Sequence, residues 1–125
     1  MAERRIKVLE PFGPEIIVIS PEVSEYIKQT ASSFHKRKYQ EGDIALIKPF
    51  LVIAATDDRQ VNHSVMVEAK NLDIHGSIAD SWEESTCFFP AIAESEGYIT
   101  GIVSKNGDHK GVKKLAERIR KELVR

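Results

Sequence analysis

The 125-residue sequence lacks the features that define several classes of protein. Its single cysteine, Cys87, excludes an internal disulfide and is typical of a reducing compartment. Its longest apolar run, Phe50 to Ala55, is too short to span a bilayer, and the first five residues lead into no apolar signal region. Neither sign of charge dominates, since the formal net charge is −1. We therefore expect a cytoplasmic protein with no membrane partner and no nucleic-acid partner.

The composition that remains is that of an ordinary globular protein. Hydrophobic residues make up 42% of the chain and charged residues 30%, which excludes collagen-like, low-complexity and disordered classes. The charge is unevenly spread, because residues 104–125 carry a net charge of +5 and residues 1–103 carry −6. A basic end is either a solvated helix face or a surface that attracts anions. A nucleic-acid binder that uses this end therefore stays open as an alternative.

Hydrophobic patterning predicts strands that alternate with helices. Strands are expected over residues 15–20, 34–39, 50–55, 74–79, 86–93 and 98–104. A helix is expected over residues 2–10, and a second from Pro21 to about Thr30, with Ser20 as its cap. A third is expected to begin after a cap at Thr56 or Asp57. A fourth is the amphipathic helix at the C-terminal end. Residues 42–48 are interpreted as a connection. Several strands are apolar throughout rather than alternating, which is typical of parallel strands buried on both faces.

The predicted fold class is α/β: a Rossmann-like parallel sheet with flanking helices, followed by a β-hairpin-like pair and an amphipathic helix. Such a domain normally begins with a strand and a glycine-rich turn that binds a pyrophosphate. This sequence begins with the helix and contains no G-x-G-x-x-G, so the strands over 15–20 and 50–55 would flank an absent central strand. We interpret residues 1–125 as a partial dinucleotide-binding domain: a fragment, a chain whose partner supplies the strand, or a rearranged sheet.

Six motifs follow one another along the chain: A-E-R-R at 2–5, I-V-I-S-P-E at 17–22, F-L-V-I-A-A-T-D-D-R-Q-V-N at 50–62, I-A-D at 78–80, F-F-P-A-I at 88–92 and I-V-S-x-N-G at 102–107. Together they resemble the bacterial precorrin-2 dehydrogenases, also known as the N-terminal domain of siroheme synthase. The resemblance implies NAD-dependent oxidation of precorrin-2 to sirohydrochlorin on the way to siroheme. It also implies insertion of Fe²⁺ in some members, and we expect a homodimer. At 108–111 the sequence departs from the family, because Asp-His-Lys-Gly replaces a turn of small residues and proline.

The candidate catalytic residue is Asp80, directly after the strand over 74–79. Ligands of parallel α/β sheets bind outside the carboxyl ends of the strands, which is where Asp80 is predicted to lie. The matching aspartate of the family is implicated both in precorrin-2 oxidation and in metal insertion, and a positioned carboxylate could take up the protons that either step releases. Without the resemblance, a capping role for this aspartate would be the simpler interpretation.

The candidate cofactor-binding residues follow the first two strong strands and are Pro21, Glu22, Thr56, Asp57 and Asn62. Glu22 is expected to bind the adenine ribose 2′-OH and to repel a 2′-phosphate, which favours NAD over NADP. Thr56 and Asp57 are expected to direct hydroxyl and backbone N–H groups towards the cofactor, with Asn62 orienting their loop. Helix capping alone would explain Thr56 and Asp57 equally well. Glu22 has an alternative explanation too, because the helix dipole favours a glutamate in the first turn of a helix.

Ser104, Asn106 and Gly107 are candidate substrate-binding residues, because they lead into the basic C-terminal helix. A positive field there would help to capture a tetrapyrrole that bears many carboxylates. The four histidines show no ligand spacing, so no metal site is predicted. The absent glycine-rich turn predicts that the isolated chain is a poor enzyme. It also leaves open a non-catalytic remnant or interaction module of the same fold.

Overall fold

The computed structural model describes residues 2–123, which form two compact units. The first unit ends at Cys87 and the second begins at Phe88. Helices and strands alternate along the first unit as α1 (Ala2–Leu9), β1 (Ile17–Ile19), α2 (Glu25–Thr30), β2 (Ser33–His35), α3 (Asp43–Ile47), β3 (Leu51–Ala54), α4 (Arg59–Asn71) and β4 (His75–Ile78). A 3₁₀ turn, Glu10–Phe12, follows α1. Over residues 2–123, every helix is too short or too polar to cross a membrane.

The strands of the first unit pair in parallel, as the unbroken apolar runs predict. β1 pairs with β2, and β3 pairs with β4. Within the described residues the two pairs are separate sheets, so β1 and β3 each keep one edge without a strand partner. That these two strands flank an absent central strand therefore stays a prediction.

The strands are shorter and less buried than their composition predicts. Ile17 is 38% exposed in β1, and Phe50, predicted to open β3, is 94% exposed and precedes that strand. The prediction that the strand over 15–20 is buried on both faces is therefore wrong. A strand in a two-stranded sheet has a neighbour on one side only, which leaves part of its apolar surface uncovered.

The main core of the first unit lies where α4 packs on β3 and β4. The near-helical spacing of Val61, Val65, Ala69 and Leu72 predicts one packed helix face. Val65 and Ala69 are buried and Val61 packs against the core, whereas Leu72 follows the helix and is 41% exposed. The buried residues of the core are Ile44, Ala54, Val65, Met66, Ala69 and Ile78. Gly76 on β4 permits the close approach of α4, since a Cβ atom there would lie only 2.4 Å from the Met66 sulfur. The strand–helix–strand unit β3–α4–β4 is thus the best packed part of the described chain.

Helix α2 begins one turn later than predicted. Ser24 is its cap, because the Ser24 hydroxyl accepts a hydrogen bond from the Ile27 N–H at 3.3 Å. Ser20, the predicted cap, instead closes a turn: its hydroxyl donates to the Glu22 carbonyl at 2.6 Å and accepts from the Glu22 N–H at 3.3 Å. A serine at position 20 or at position 24 can accept a hydrogen bond from a free N–H group. The sequence alone therefore does not show which of the two serines caps α2.

Helix α4 is capped by Asp58, and not by Thr56 or Asp57 as predicted. The Asp58 carboxylate accepts hydrogen bonds from the N–H groups of Gln60 at 2.9 Å and Val61 at 3.4 Å. Thr56, Asp57 and Asp58 are consecutive residues that can each cap a helix. Only the Asp58 side chain reaches the first free N–H groups of α4. Thr56 and Asp57 therefore lie in the loop that connects β3 to α4.

The segment over 42–48, predicted as a connection, contains the short helix α3. Glu68 on α4 holds this segment through long-range hydrogen bonds. One carboxylate oxygen accepts from the Tyr39 hydroxyl and from the Gly42 N–H at 3.1 Å, and the other accepts from the Ala45 N–H at 2.9 Å. The partners are more than 20 residues apart in sequence, so local patterning could not predict the helix.

Carboxylates with shifted pKa values hold the loop between β2 and α3. Hydrogen bonds from Arg37, at 2.8 and 2.9 Å, lower the pKa of the buried Asp43. Burial alone would raise the pKa of Glu68, but hydrogen bonds from Tyr39 and from backbone N–H groups outweigh it, so the pKa is lowered. Burial, together with the bond to Glu68, raises the pKa of Tyr39. Both carboxylates are therefore held in the charged form.

The second unit is an antiparallel hairpin with a helix packed on it, and it confirms the predicted hairpin-like pair and amphipathic helix. Its elements are β5 (Ala91–Ser95), β6 (Tyr98–Ile102) and α5 (His109–Leu123). Arg120 of α5 donates two hydrogen bonds to the Ile92 carbonyl, at 2.6 and 3.1 Å. The strand predicted from residue 86 begins only at Ala91. The N–H groups of Thr86 and Cys87 bind the Gly76 carbonyl instead.

We predict that Glu68→Gln weakens the acid sensitivity of folding. A carboxylate with a lowered pKa stabilises the folded state above its unfolded pKa, about 4.3, and this contribution is lost as the pH falls through the lower folded value. The variant should therefore be less stable at pH 7, by about 1–3 kcal/mol. Its free energy of unfolding should also fall less steeply between about pH 5 and pH 3.

Urea unfolding at a series of pH values measures this effect. Glu41→Gln is the matched control, because Glu41 is an exposed glutamate of the same loop, and it should keep the slope of the unaltered chain. An equal slope for Glu68→Gln and the unaltered chain would contradict the prediction.

Candidate functional site

The carboxyl ends of β3 and β4 lie side by side. The register pairs Ala54 with Ile78, and the Ala79 N–H donates to the Ala54 carbonyl at 2.9 Å. Thr56 and Asp80 each stand two residues beyond the paired residues of their strand. Both candidates therefore follow the same edge of the sheet, as expected from parallel pairing.

Asn62 holds the loop that follows β3. This side chain is fully buried, and its amide oxygen accepts hydrogen bonds from the Thr56 N–H at 3.1 Å and the Thr56 hydroxyl at 2.7 Å. Its amide nitrogen donates to the Thr56 carbonyl at 3.1 Å. Thr56 therefore differs from expectation: its hydroxyl and N–H are used inside the loop and are not directed towards a ligand. Asp57 is exposed, and its carboxylate has no partner within residues 2–123.

Asp80 is held by an ion-pair network that the sequence analysis missed. Arg59, the first residue of α4, donates from one terminal nitrogen to Asp80 Oδ1 at 2.9 Å, and its other terminal nitrogen forms an ion pair with Glu84 Oε2. The second oxygen of Glu84 contacts Nδ1 of His63, one helical turn beyond Arg59. Within the described part of the chain, Asp80 Oδ2 has no hydrogen-bond partner. Asp80 therefore has one fixed oxygen and one open oxygen.

The network lies beside an open depression of about 460 Å³ on α4, lined by Arg59, Gln60, His63 and Ser64. One sequence signal could have pointed to it. An arginine at the first position of a helix faces the positive end of the helix dipole, so its presence there indicates a nearby carboxylate. His63, on the surface of α4, contacts Glu84, a contact that its spacing from the other histidines does not indicate.

Pro21 and Glu22 lie in the turn after β1. Ser20 still belongs to the ladder, since its N–H donates to the His35 carbonyl at 3.1 Å, and the turn begins directly after it. The Glu22 carboxylate is exposed and has no hydrogen-bond or ion-pair partner among the described residues. A free carboxylate directly beyond a strand end suits a ribose hydroxyl.

Ser104, Asn106 and Gly107 lie in the second unit, in the loop before α5. The Ser104 hydroxyl accepts hydrogen bonds from the N–H groups of Asn106 at 3.1 Å and Asp108 at 3.0 Å. Gly107 adopts a positive φ of 71°, and Asp108 caps α5 by accepting from the Gly111 N–H at 2.9 Å. The Ser104 hydroxyl thus shapes this loop, and the Asn106 side chain is exposed.

The first unit defines a protein of the Rossmann type, with parallel strands, covering helices and polar residues after the strand ends. The free carboxylate of Glu22 is a group that can accept a hydrogen bond from the ribose of a dinucleotide. The described residues contain no glycine-rich turn for a pyrophosphate. Over the same residues, no group of three or more histidine, cysteine or acidic side chains is arranged to hold a metal ion.

Comparison with known proteins leads to one family. Residues 1–91 match a family described as putative NAD(P)-binding. The chain is 44% identical to the probable multifunctional siroheme biosynthesis protein HemA of Ruminiclostridium josui, over 97% of this chain and 24% of that protein. It is 32% identical to the precorrin-2 dehydrogenase of Bacillus subtilis (strain 168), over 97% of this chain and 75% of that enzyme.

A solved structure of SirC, a precorrin-2 dehydrogenase, shares the fold with a TM-score of 0.78 and 26% identity, over 97% of this chain and 60% of that one. The chain therefore belongs to the precorrin-2 dehydrogenase and siroheme synthase family of NAD(P)-binding proteins. It spans about a quarter of the R. josui protein and three quarters of the B. subtilis enzyme.

We predict that Asn62→Ala destabilises the first unit by about 1–3 kcal/mol, because it removes a fully buried amide and the partners of the Thr56 backbone. Asn71→Ala, an exposed asparagine at the other end of the same helix, is the matched control and should stay within about 0.5 kcal/mol of the unaltered chain. Chemical denaturation followed by circular dichroism measures both. Equal stability of the two variants would show that Asn62 does not hold the loop.

Proposed function

We propose that this chain oxidises precorrin-2 to sirohydrochlorin with NAD⁺, a step in the synthesis of siroheme. The observation that carries the proposal is the placement of Asp80 directly beyond β4, with one carboxylate oxygen fixed by Arg59 and the other open. The names of the relatives supply the substrate class, since they include precorrin-2 dehydrogenases and siroheme biosynthesis proteins.

The oxidation removes a hydride and a proton from the macrocycle. NAD⁺, when bound, accepts the hydride. Asp80 is proposed to accept the proton at its open oxygen, Oδ2, and to pass it to water, to which its half-exposed side chain has access. Asn62 keeps the neighbouring loop in one shape through its bonds to Thr56, so Asp57 and the start of α4 would be held in place for a bound cofactor.

Pro21 and Glu22 are proposed to bind the adenosine part of the cofactor. Pro21 restricts the backbone of the turn, because its ring fixes φ. The free carboxylate of Glu22 would accept a hydrogen bond from the ribose 2′-OH and repel a 2′-phosphate. NAD is therefore the proposed cofactor, in preference to NADP.

The second unit is proposed to attract the substrate. Its helix α5 carries exposed basic residues opposite an apolar face: Lys110, Lys113, Lys114, Arg118 and Lys121. These cations would steer the carboxylates of a tetrapyrrole, with Ser104, Asn106 and Gly107 in the preceding loop. Salt should therefore weaken substrate capture.

Three further features belong to the proposal. The first is insertion of Fe²⁺ into sirohydrochlorin, where Asp80 would take up the protons that the pyrroles release. The second is a homodimer, which the exposed apolar side chains of β6 support: Tyr98 is 74% exposed and Ile99 is 51% exposed. The third is a place in the cytoplasm, in keeping with the free thiol of Cys87.

The test of the cofactor site is Glu22→Gln. A hydrogen bond to a charged group is worth about 1.5–3 kcal/mol, so the dissociation constant for NAD⁺ should rise about tenfold or more. The preference for NAD⁺ over NADP⁺ should fall, because the repulsive charge is gone. Calorimetric titration measures both constants.

Glu15→Gln, an exposed glutamate that precedes β1, is the control and should bind NAD⁺ like the unaltered chain. Undetectable NAD⁺ binding by the unaltered chain would contradict the proposed cofactor and favour the non-catalytic alternative.

The test of the reaction is Asp80→Asn, which keeps the shape of the side chain and removes its basicity. The rate of precorrin-2 oxidation should fall by roughly 100-fold or more, the usual contribution of a general base. NAD⁺ binding should be unchanged. The absorbance of NADH in an anaerobic assay measures the rate.

Asp73→Asn, in the turn after α4 where a positive φ of 55° suits asparagine, is the control and should keep full activity. Equal rates for Asp80→Asn and the control would rule out Asp80 as the base.

A further inference from the structure

We propose that Arg59 is a positioning residue that holds the Asp80 carboxylate in one orientation, and that Glu84 and His63 hold Arg59. The proposal rests on the proposed role of Asp80 as the proton acceptor. It assigns a positioning role to Arg59, Glu84 and His63, which do not take part in the proposed proton or hydride transfer.

The geometry is that of one guanidinium between two carboxylates. The two terminal nitrogens of Arg59 bind Asp80 Oδ1, at 2.9 Å, and Glu84 Oε2. His63 Nδ1 contacts the remaining Glu84 oxygen. Arg59 and His63 are four residues apart and therefore face the same side of α4. Glu84 thus pairs with Arg59 through one oxygen and with His63 through the other.

This network is not needed to fold the loop that carries Asp80. The loop closes on itself: the Ser85 hydroxyl donates to the Ser81 carbonyl at 2.9 Å and accepts from the Ile78 N–H at 2.9 Å. The Ser85 N–H also binds the Trp82 carbonyl at 3.2 Å. Removal of Arg59 should therefore leave the loop backbone in place and release only the Asp80 side chain.

Stability does not explain the network either. The side chains of Arg59 and Asp80 are 48% and 37% exposed, and exposed ion pairs contribute about 0–1 kcal/mol. In addition, a cation in the first turn of a helix is disfavoured by the helix dipole. An arginine at this position therefore adds little to folding, whereas it does restrict a carboxylate that would otherwise rotate freely in water.

Restriction of Asp80 has a direct consequence for proton transfer. A base must lie within hydrogen-bond reach of the proton that it removes, and small misplacements reduce rates by up to about 100-fold. With Oδ1 held by Arg59, Oδ2 is presented in one direction. Arg59 should therefore affect the rate of the chemical step and leave the binding of substrate and cofactor unchanged.

The experiment compares Arg59→Gln, Arg59→Lys and Glu84→Gln in the full chain, with Lys70→Gln as the matched control. Lys70 is an exposed cation near the other end of α4. The first measurement is the χ1 angle of Asp80, from three-bond NMR couplings at neutral pH. We expect one rotamer in the unaltered chain and the control, rotamer averaging in Arg59→Gln, and partial averaging in Glu84→Gln.

The second measurement is steady-state kinetics of precorrin-2 oxidation. We expect kcat of Arg59→Gln to fall about tenfold to 100-fold, with KM for NAD⁺ and for precorrin-2 within about twofold. Arg59→Lys keeps the charge and one donor, so it should restore part of kcat. Thermal midpoints should agree within a few degrees across the set, in keeping with an exposed ion pair.

Two results would overturn the proposal: a single Asp80 rotamer in Arg59→Gln, or a kcat for Arg59→Lys no better than that for Arg59→Gln. The failure of the proposed function is separate. If the unaltered chain does not oxidise precorrin-2, the reaction is wrong, and the rotamer measurement alone decides whether Arg59 positions Asp80.

Discussion

The parallel pairing of β3 with β4 is the constraint on which the first unit depends. Parallel neighbours cannot be joined by a tight turn, so the chain must cross over between them, and here it does so through α4. Packing of Met66 against Gly76 brings the helix close to the sheet. As a result the helix begins beside the ends of both strands, where Thr56 and Asp80 lie. The candidate site follows from this crossover, because a helix that begins at a strand end must place its first residues there.

Much of this arrangement could be predicted from the sequence. The apolar run from Phe50 to Ala55 predicts a strand, which forms over Leu51–Ala54, and the spacing of Val61, Val65 and Ala69 predicts the helix that packs on it. Asp80 could be predicted because the carboxyl end of a strand is where such folds bind ligands. The parts that were predicted are those in which one segment determines its own structure.

The parts that could not be predicted depend on partners far away in sequence. Helix α3 exists because Glu68 binds its backbone across more than 20 residues, and Arg59 meets Asp80 across 21. The predicted cap of α4 was wrong for a different reason. Thr56, Asp57 and Asp58 can all cap a helix, and only the backbone geometry selects Asp58.

The site combines a buried part and an exposed part, and the proposed chemistry needs both. Asn62 is fully buried and bonded at both ends of its amide, so the loop after β3 has a single shape. Asp80, in contrast, is more than one-third exposed, and a base that must release its proton after each turnover needs contact with water. A buried carboxylate would be well oriented but slow to exchange its proton, and a fully free one would exchange quickly but point in many directions. An exposed carboxylate with one oxygen held by a guanidinium meets both requirements, which is why the ion pair of Arg59 matters more for orientation than for stability.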